Sequence, residues 1–435
     1  MAKPIWYVAY NGLGVPLMWL ALRVGALVNE KAREAWEGRR GWKASLDAQL
    51  ARPRDEGETP TETIWFHAPS VGEFEQAKPL IRALYPDYRI VTTCFSPSVI
   101  GAMERYPFQD AALFLPLDSR RNVRHLFDRI EPKALVFSKF DVWPNCVWEA
   151  ARRNVPVGLI AGTLHATSKR LRPGGKRLFR HLHGQMRVQC AVSEGDAERL
   201  RRLSPPNSRI VVTGDTRFDT VFARAESPPD RPILPDEEWG DVFRLVAGST
   251  YVDEERVLIP AFVRLRERCP NARMILVPHE PTDAHLAASE ALLERAGLRS
   301  VRLSDVERGE RIRDADVVLV DRVGFLAHLY RYGTVAFVGG GFHARVHNVM
   351  EPAVLEKPVL FGPMMDNSPE AYGLLDRDAA YRARDGEELA ERLIALAEDP
   401  DRVRAMGAAG RAYILENLGA SERTLAAIRE ALLSG

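Results

Sequence analysis

Residues Glu226 to Glu238 read ESPPDRPILPDEE, with prolines at 228, 229, 232 and 235. Proline fixes φ and has no N–H, so a stretch this dense in it lies in neither a helix nor a central strand. It divides the chain into two runs of alternating strand-like and helix-like segments. Before it, apolar runs such as Ile64–His67, Arg89–Thr93, Ala134–Ser138 and Val155–Ala161 alternate with helical stretches such as Glu73–Leu84. After it, Phe243–Ala247, Arg273–Val277, Asp316–Val320, Val335–Val338 and Val359–Phe361 repeat the pattern, and helices close the chain from Gly386. This alternation predicts α/β architecture with parallel sheets covered by helices on both faces. The expected division is 1–30 as a membrane anchor, 31–225 as a Rossmann-like domain, 226–238 as linker and 239–435 as a second Rossmann-like domain. Two doubly wound domains are expected to face a cleft at the carboxyl ends of their strands, where such sheets bind ligands.

The anchor expectation rests on Ile5 to Leu22, 18 residues without a charge. That is at the short end for a bilayer span, and Gly12, Gly14 and Pro16 invite a kink. Lys31, Arg33, Arg39, Arg40 and Lys43 follow the run. Basic residues on that flank would keep the following body in the cytoplasm. A single span, an interfacial helix and a buried core helix all satisfy the pattern. With 60 Lys+Arg against 59 Asp+Glu, no global field draws the chain to nucleic acid. The four cysteines are far apart, and no HExxH or Walker pattern occurs, so the sequence calls for no metal or cofactor.

Two loops carry the chemical signal. In His67-Ala68-Pro69-Ser70-Val71-Gly72-Glu73, a strand runs through a tight turn into a helix that opens with Glu73. Glu73 is either a helix-start carboxylate or a general base. In Gly339-Gly340-Gly341 and the following His347-Asn348-Val349-Met350-Glu351-Pro352, glycines permit close backbone approach and Glu351 can accept ribose hydroxyls. The alternative is a plain turn with a solvated helix start. Lys139 and Asp141 follow a third strand and form either a structural pair or a polar-ligand contact. Ser249 and His279 also end strands; a cap and a structural histidine are their plainer readings.

Taken together, these motifs resemble the Kdo transferases, which add 3-deoxy-D-manno-octulosonic acid (Kdo) to lipid A precursors. The resemblance runs from Gly38-Arg39-Arg40-Gly41 through HAPSVGE, Trp143-Pro144-Asn145, Gly214-Asp215-Thr216-Arg217-Phe218-Asp219 and Gly248-Ser249-Thr250. It continues through Val277-Pro278-His279-Glu280 and the GGG…HNVMEP segment to Phe361-Gly362-Pro363. Many members carry two glutamates where this chain has Lys139 and Asp141. The resemblance implies a GT-B fold, an acceptor-binding first domain, a CMP-Kdo-binding second domain and inverting, metal-independent transfer. It makes Glu73 the catalytic base, Ser249, His279, Gly340, Asn348 and Glu351 donor-side residues, and Lys139 and Asp141 acceptor-side residues. The expected partners are CMP-Kdo, a lipid A precursor and the membrane surface. Another GT-B nucleotide-sugar transferase, a sugar-nucleotide epimerase and a silent membrane-bound scaffold are the competing readings.

Overall fold

The computed structural model describes residues 5–54 and 60–434. They form two compact units, one of residues up to Thr220 with those from Leu418 on, the other Val221–Asn417. The first unit holds β1 (Thr63–His67), β2 (Arg89–Cys94), β3 (Ala111–Phe114), β4 (Pro132–Ser138), β5 (Val157–Gly162), β6 (Met186–Ala191) and β7 (Ile210–Val212). These pair in the order β3-β2-β1-β4-β5-β6-β7, all parallel. The strands are near-continuous apolar runs because both faces are covered. Successive residues of β1 feed opposite cores. Ile64 and Phe66 pack with Phe74 and Ile81, whereas Trp65 packs with Leu46 and Phe127.

The second unit holds β8 (Arg244–Thr250), β9 (Arg273–Pro278), β10 (Ser300–Arg302), β11 (Val317–Leu319), β12 (Val335–Val338), β13 (Val359–Phe361) and β14 (Ala380–Arg382). Their order is β10-β11-β9-β8-β12-β13-β14, again all parallel. Strand order reverses between β1 and β4 in the first sheet and between β8 and β12 in the second. Such a reversal opens a crevice at the carboxyl ends of the two strands. The proline-dense residues 226–235 carry no helix or strand, and the Tyr332 hydroxyl accepts the Ile233 N–H at 2.8 Å.

The closing residues, which the sequence division joins to the second domain, pack with the first unit from Leu418. The Asp219 carboxylate accepts the Gly419 and Ser421 N–H groups at 2.7 and 2.6 Å, fixing the start of the helix Ala420–Ile428. Ala427, Ile428, Leu432 and Leu433 then join the core around Ile64 and Phe66. Leu432 lies over Gly158, where any side chain would meet it.

The apolar N-terminal run is helical over Ile5–Val28, long and apolar enough to cross a membrane. A widened turn lies where the kink is expected. Residues Tyr10–Gly14 are π-helical, and the Val15 N–H bonds the Tyr10 carbonyl five residues back. Pro16, which has no N–H to give, follows immediately. One side of the helix meets the first unit. The Tyr10 hydroxyl donates to Asp118 Oδ2 (2.8 Å), Asn11 exchanges bonds with the Asn145 side chain (3.1 and 3.0 Å), and Tyr7 packs on Trp148. The other side exposes Ile5, Val8, Leu13, Leu17, Leu20, Val24 and Leu27.

Asp118 is fully buried and also accepts the Asn145 N–H at 2.9 Å; burial pushes its carboxyl up to about 6. Replacing Asp118 with Ala orphans the Tyr10 hydroxyl and the Asn145 N–H, at a cost on the order of 1–3 kcal/mol for each group that stays buried. The expected outcome is a loosened helix, read as faster tryptic cleavage at Arg23 and Arg33 in detergent. An unchanged cleavage rate would contradict this dock.

Candidate active site

Glu73 stands in the first turn of the helix Val71–Leu84, directly after β1 and its short loop. Lys139 is the first residue after β4, the strand beside β1. The two side chains therefore meet where the first sheet reverses its order. Lys139 Nζ lies 3.1 Å from Glu73 Oε1, and the Ser70 hydroxyl donates to Glu73 Oε2. The Ser138 hydroxyl donates to the Glu73 carbonyl at 3.0 Å. Lys139 takes a left-handed backbone, φ 69°, uncommon for a residue with a side chain. Burial pushes the Glu73 carboxyl up, but the Lys139 ammonium and the Ser70 hydroxyl outweigh it. They hold Glu73 below the usual carboxylate range.

Lys139 and Asp141 do not pair with each other. Asp141 Oδ2 lies 3.6 Å from His67 Nε2 instead. The Trp143 indole N–H donates to that same nitrogen at 2.9 Å, and His67 Nδ1 lies 2.9 Å from the Thr93 hydroxyl. A ring nitrogen that accepts carries no proton, so this network assigns a neutral His67 protonated at Nδ1. Trp143 stacks on Phe95, and Asn145 holds Asp118. The Trp-Pro-Asn motif thus joins the wall of the Glu73 crevice to the N-terminal helix.

In the second unit the candidate residues gather at the carboxyl ends of β8, β9 and β12. Ser249 takes a left-handed φ of 56°, and its carbonyl occupies the space a side chain on Gly339 would need. Gly340, φ 92°, admits no side chain against the Arg345 carbonyl. The N–H groups of the glycine loop are not all open to a ligand, however. The buried Glu254 carboxylate already accepts the Gly340 and Phe342 N–H groups at 2.7 and 2.8 Å. Burial raises the Glu254 carboxyl. Glu254 lies 86 residues from Gly340 in sequence, so no local motif could reveal this occupancy.

Above the loop the rings of His279 and His347 stack at 4.4 Å, and Tyr251 stacks on His343 at 4.0 Å and on His347 at 5.7 Å. His347 Nε2 is buried without a hydrogen-bond partner among the described residues. Burial and the neighbouring His279 lower its ring to about 4, so it is neutral at physiological pH. Asn348 is exposed, and its Oδ1 accepts the Met350 N–H at 3.1 Å, shaping the turn. Glu351 pairs with Arg224 at 2.9 Å. Tyr251 escaped selection in the sequence, and His347 was read only as part of the glycine-loop segment, because an aromatic ring carries no signal until its stacking partners are known. Among the described residues, no cluster of three or more His, Cys, Asp or Glu side chains could hold a metal ion.

Known proteins resemble this chain in sequence and in fold. Residues 35–220 match the family model described as 3-deoxy-D-manno-octulosonic-acid transferase (kdotransferase). The chain resembles the Kdo transferases over most of its length. It is 29% identical over 455 aligned residues to the 3-deoxy-D-manno-octulosonic acid transferase of Bordetella pertussis, covering 99% of each chain. It is 27% identical over 384 residues to that of Haemophilus influenzae, covering 84% of this chain and 86% of the relative. In fold it matches the UDP-GlcNAc 2-epimerase of Neisseria meningitidis, with TM-score 0.60 and 16% identity over 85% of this chain and all of that one. The two doubly wound parallel sheets are of the GT-B type that resemblance to Kdo transferases implied.

The Glu73–Lys139 pair has a pH signature. Its stabilisation is present above the ordinary carboxylate value and is lost as pH falls through the lowered value in the folded protein. Lys139→Met removes the cation and leaves only the Ser70 hydroxyl and a backbone N–H against burial, so the Glu73 carboxyl rises. The acid limb of thermal stability should move to higher pH in the variant. A limb at the same pH would show that Lys139 does not set the Glu73 charge.

Proposed function

We propose that this chain is a glycosyltransferase that moves Kdo from CMP-Kdo to a lipid A precursor in lipopolysaccharide assembly, with inversion at the anomeric carbon. The observation that carries the reading is Glu73, kept ionised by Lys139 at the order reversal of the first sheet, on a segment inside the family-model match. Glu73 takes the proton of the acceptor hydroxyl as that oxygen attacks the anomeric carbon. The bond to the CMP phosphate breaks, and CMP leaves with its electrons. A carboxylate held below its usual range is a modest base, so proximity supplies much of the rate advantage.

On the donor side, the ring planes of Tyr251, His279 and His347 offer a stacking surface for a nucleobase. The unpartnered His347 Nε2 offers one hydrogen-bond position, and Glu351, fixed by Arg224, suits the ribose hydroxyls. Ser249, Gly340 and Asn348 set the backbone shape of this surface. Asp141, held beside His67, is an acceptor-side wall residue.

The N-terminal helix is proposed to lie along the inner membrane at its cytoplasmic face. A spanning helix would place Tyr10 and Asn11 in hydrocarbon. Here both are bonded to Asp118 and Asn145 of the first unit, while Ile5, Val8, Leu13, Leu17, Leu20, Val24 and Leu27 are exposed on the opposite side.

Incubation with CMP-Kdo and a lipid A precursor, read by mass spectrometry, tests the reaction. A Kdo-bearing lipid is the expected product, and a donor isomer without transfer would favour an epimerase. Glu73→Gln keeps the shape and removes proton acceptance. It should fold and bind CMP normally yet lose about 10²–10⁴-fold in transfer rate. Near-full activity in that variant would remove Glu73 from the reaction. Glu351→Ala should weaken CMP binding by roughly 1.5–3 kcal/mol; unchanged affinity by calorimetry would place the nucleotide elsewhere.

A further inference from the structure

Arg170 lies on the loop that follows β5, in the short 3-10 helix Lys169–Leu171. Its guanidinium is wedged between two aromatic rings, 4.6 Å from the centre of Phe140 and 5.2 Å from that of Phe179. Phe140 also carries Lys139 Nζ at 5.7 Å, so a single half-exposed ring separates Arg170 from the Glu73–Lys139 pair. The two cations differ in one respect. Lys139 has a carboxylate partner, whereas Arg170 has no ion pair and no side-chain hydrogen bond from its guanidinium among the described residues. Its Nε is buried and unpartnered. Asp141 attracts it through space, but Asp141 Oδ2 lies 3.6 Å from His67 Nε2 and makes no ion pair with Arg170 among the described residues.

A guanidinium has five N–H donors in a rigid fork, and withdrawing it from water without a counter-ion is costly. Two aromatic faces recover part of that cost through cation–π attraction. They leave the edge of the fork without an acceptor. An oxyanion entering there gains charge-assisted, bidentate hydrogen bonds in a partly dehydrated site, which is the geometry guanidinium recognises best. Burial also lowers the Arg170 pKa, as expected for a cation waiting for its counter-ion.

We propose that Arg170, stacked between Phe140 and Phe179, binds a phosphate monoester on the acceptor sugar close to the hydroxyl that Glu73 deprotonates. The inference rests on the acceptor assignment of the first unit given above. Arg170 is a positioning residue: it holds the acceptor by its charge and leaves the reacting atoms to Glu73.

Calorimetry on the full chain in detergent tests this without requiring turnover. The probes are a deacylated glucosamine disaccharide carrying a phosphate monoester, its dephosphorylated counterpart and inorganic phosphate alone. The wild-type protein should bind the phosphorylated disaccharide about tenfold or more tightly than the other two. Arg170→Gln should bring the two disaccharides within twofold of each other while leaving CMP affinity and thermal midpoint unchanged. Arg170→Lys, which keeps the charge without the fork, should retain only part of the preference.

Equal wild-type affinity for the two disaccharides overturns the proposal, whether or not any variant folds. So does a preference that survives in Arg170→Gln, or inorganic phosphate binding as tightly as the disaccharide. Failure to transfer Kdo in the mass-spectrometric assay would refute the function instead, because the binding preference is read separately.

Discussion

Each sheet changes its direction of growth beside its first strand, and the placement of the candidate groups follows from that constraint. Helices leaving the two strands at a reversal diverge to opposite faces, so the edge between them stays uncovered. In the first unit that edge receives the ends of β1 and β4, and with them Glu73 and Lys139. In the second it receives the ends of β8 and β12, and with them Ser249, Tyr251 and the glycine loop. The same geometry yields two different environments. The first edge holds an ionised carboxylate against an ammonium, and the second presents stacked rings over a loop already bonded to Glu254.

Three buried carboxylates serve distinct ends. Glu254 closes the glycine loop by accepting its N–H groups, which fixes the loop in the absence of any anion. Asp118 gathers Tyr10, Asn145 and Cys146 on one buried group. Glu73 alone among the three faces a cation, and it alone is pulled below its ordinary pKa. The proposed role of Glu73 as a base suits the third environment, which keeps its charged form.

The strands around both reversals were legible in the sequence because doubly covered parallel strands are uninterrupted apolar runs. The strands that escaped, Ser300–Arg302 and Ala380–Arg382, are three-residue edge strands with a polar residue at one or both ends. Glu73 was legible from its place after a strand and a tight turn. Its partner was not, since Lys139 and Asp141 are two residues apart and look like a local pair. Only the left-handed turn at Lys139 sends its ammonium to a carboxylate 66 positions earlier. Helicity after Gly386 was readable from periodicity, but the surface that receives the last helix was not. An apolar face specifies that it will be buried, not against what.

That last helix gives the chain an unusual folding order. The second unit is one continuous stretch, Val221–Asn417, threaded between two parts of the first. The core around Ile64, Phe66 and Val188 is completed by Ile428, Leu432 and Leu433, which emerge from the ribosome more than two hundred residues later. During synthesis, the unit begun first is therefore the one finished last. One apolar surface of its sheet must stay uncovered while the second unit is made and folds. A truncation near residue 418 would leave the second unit whole and the first permanently open along that surface.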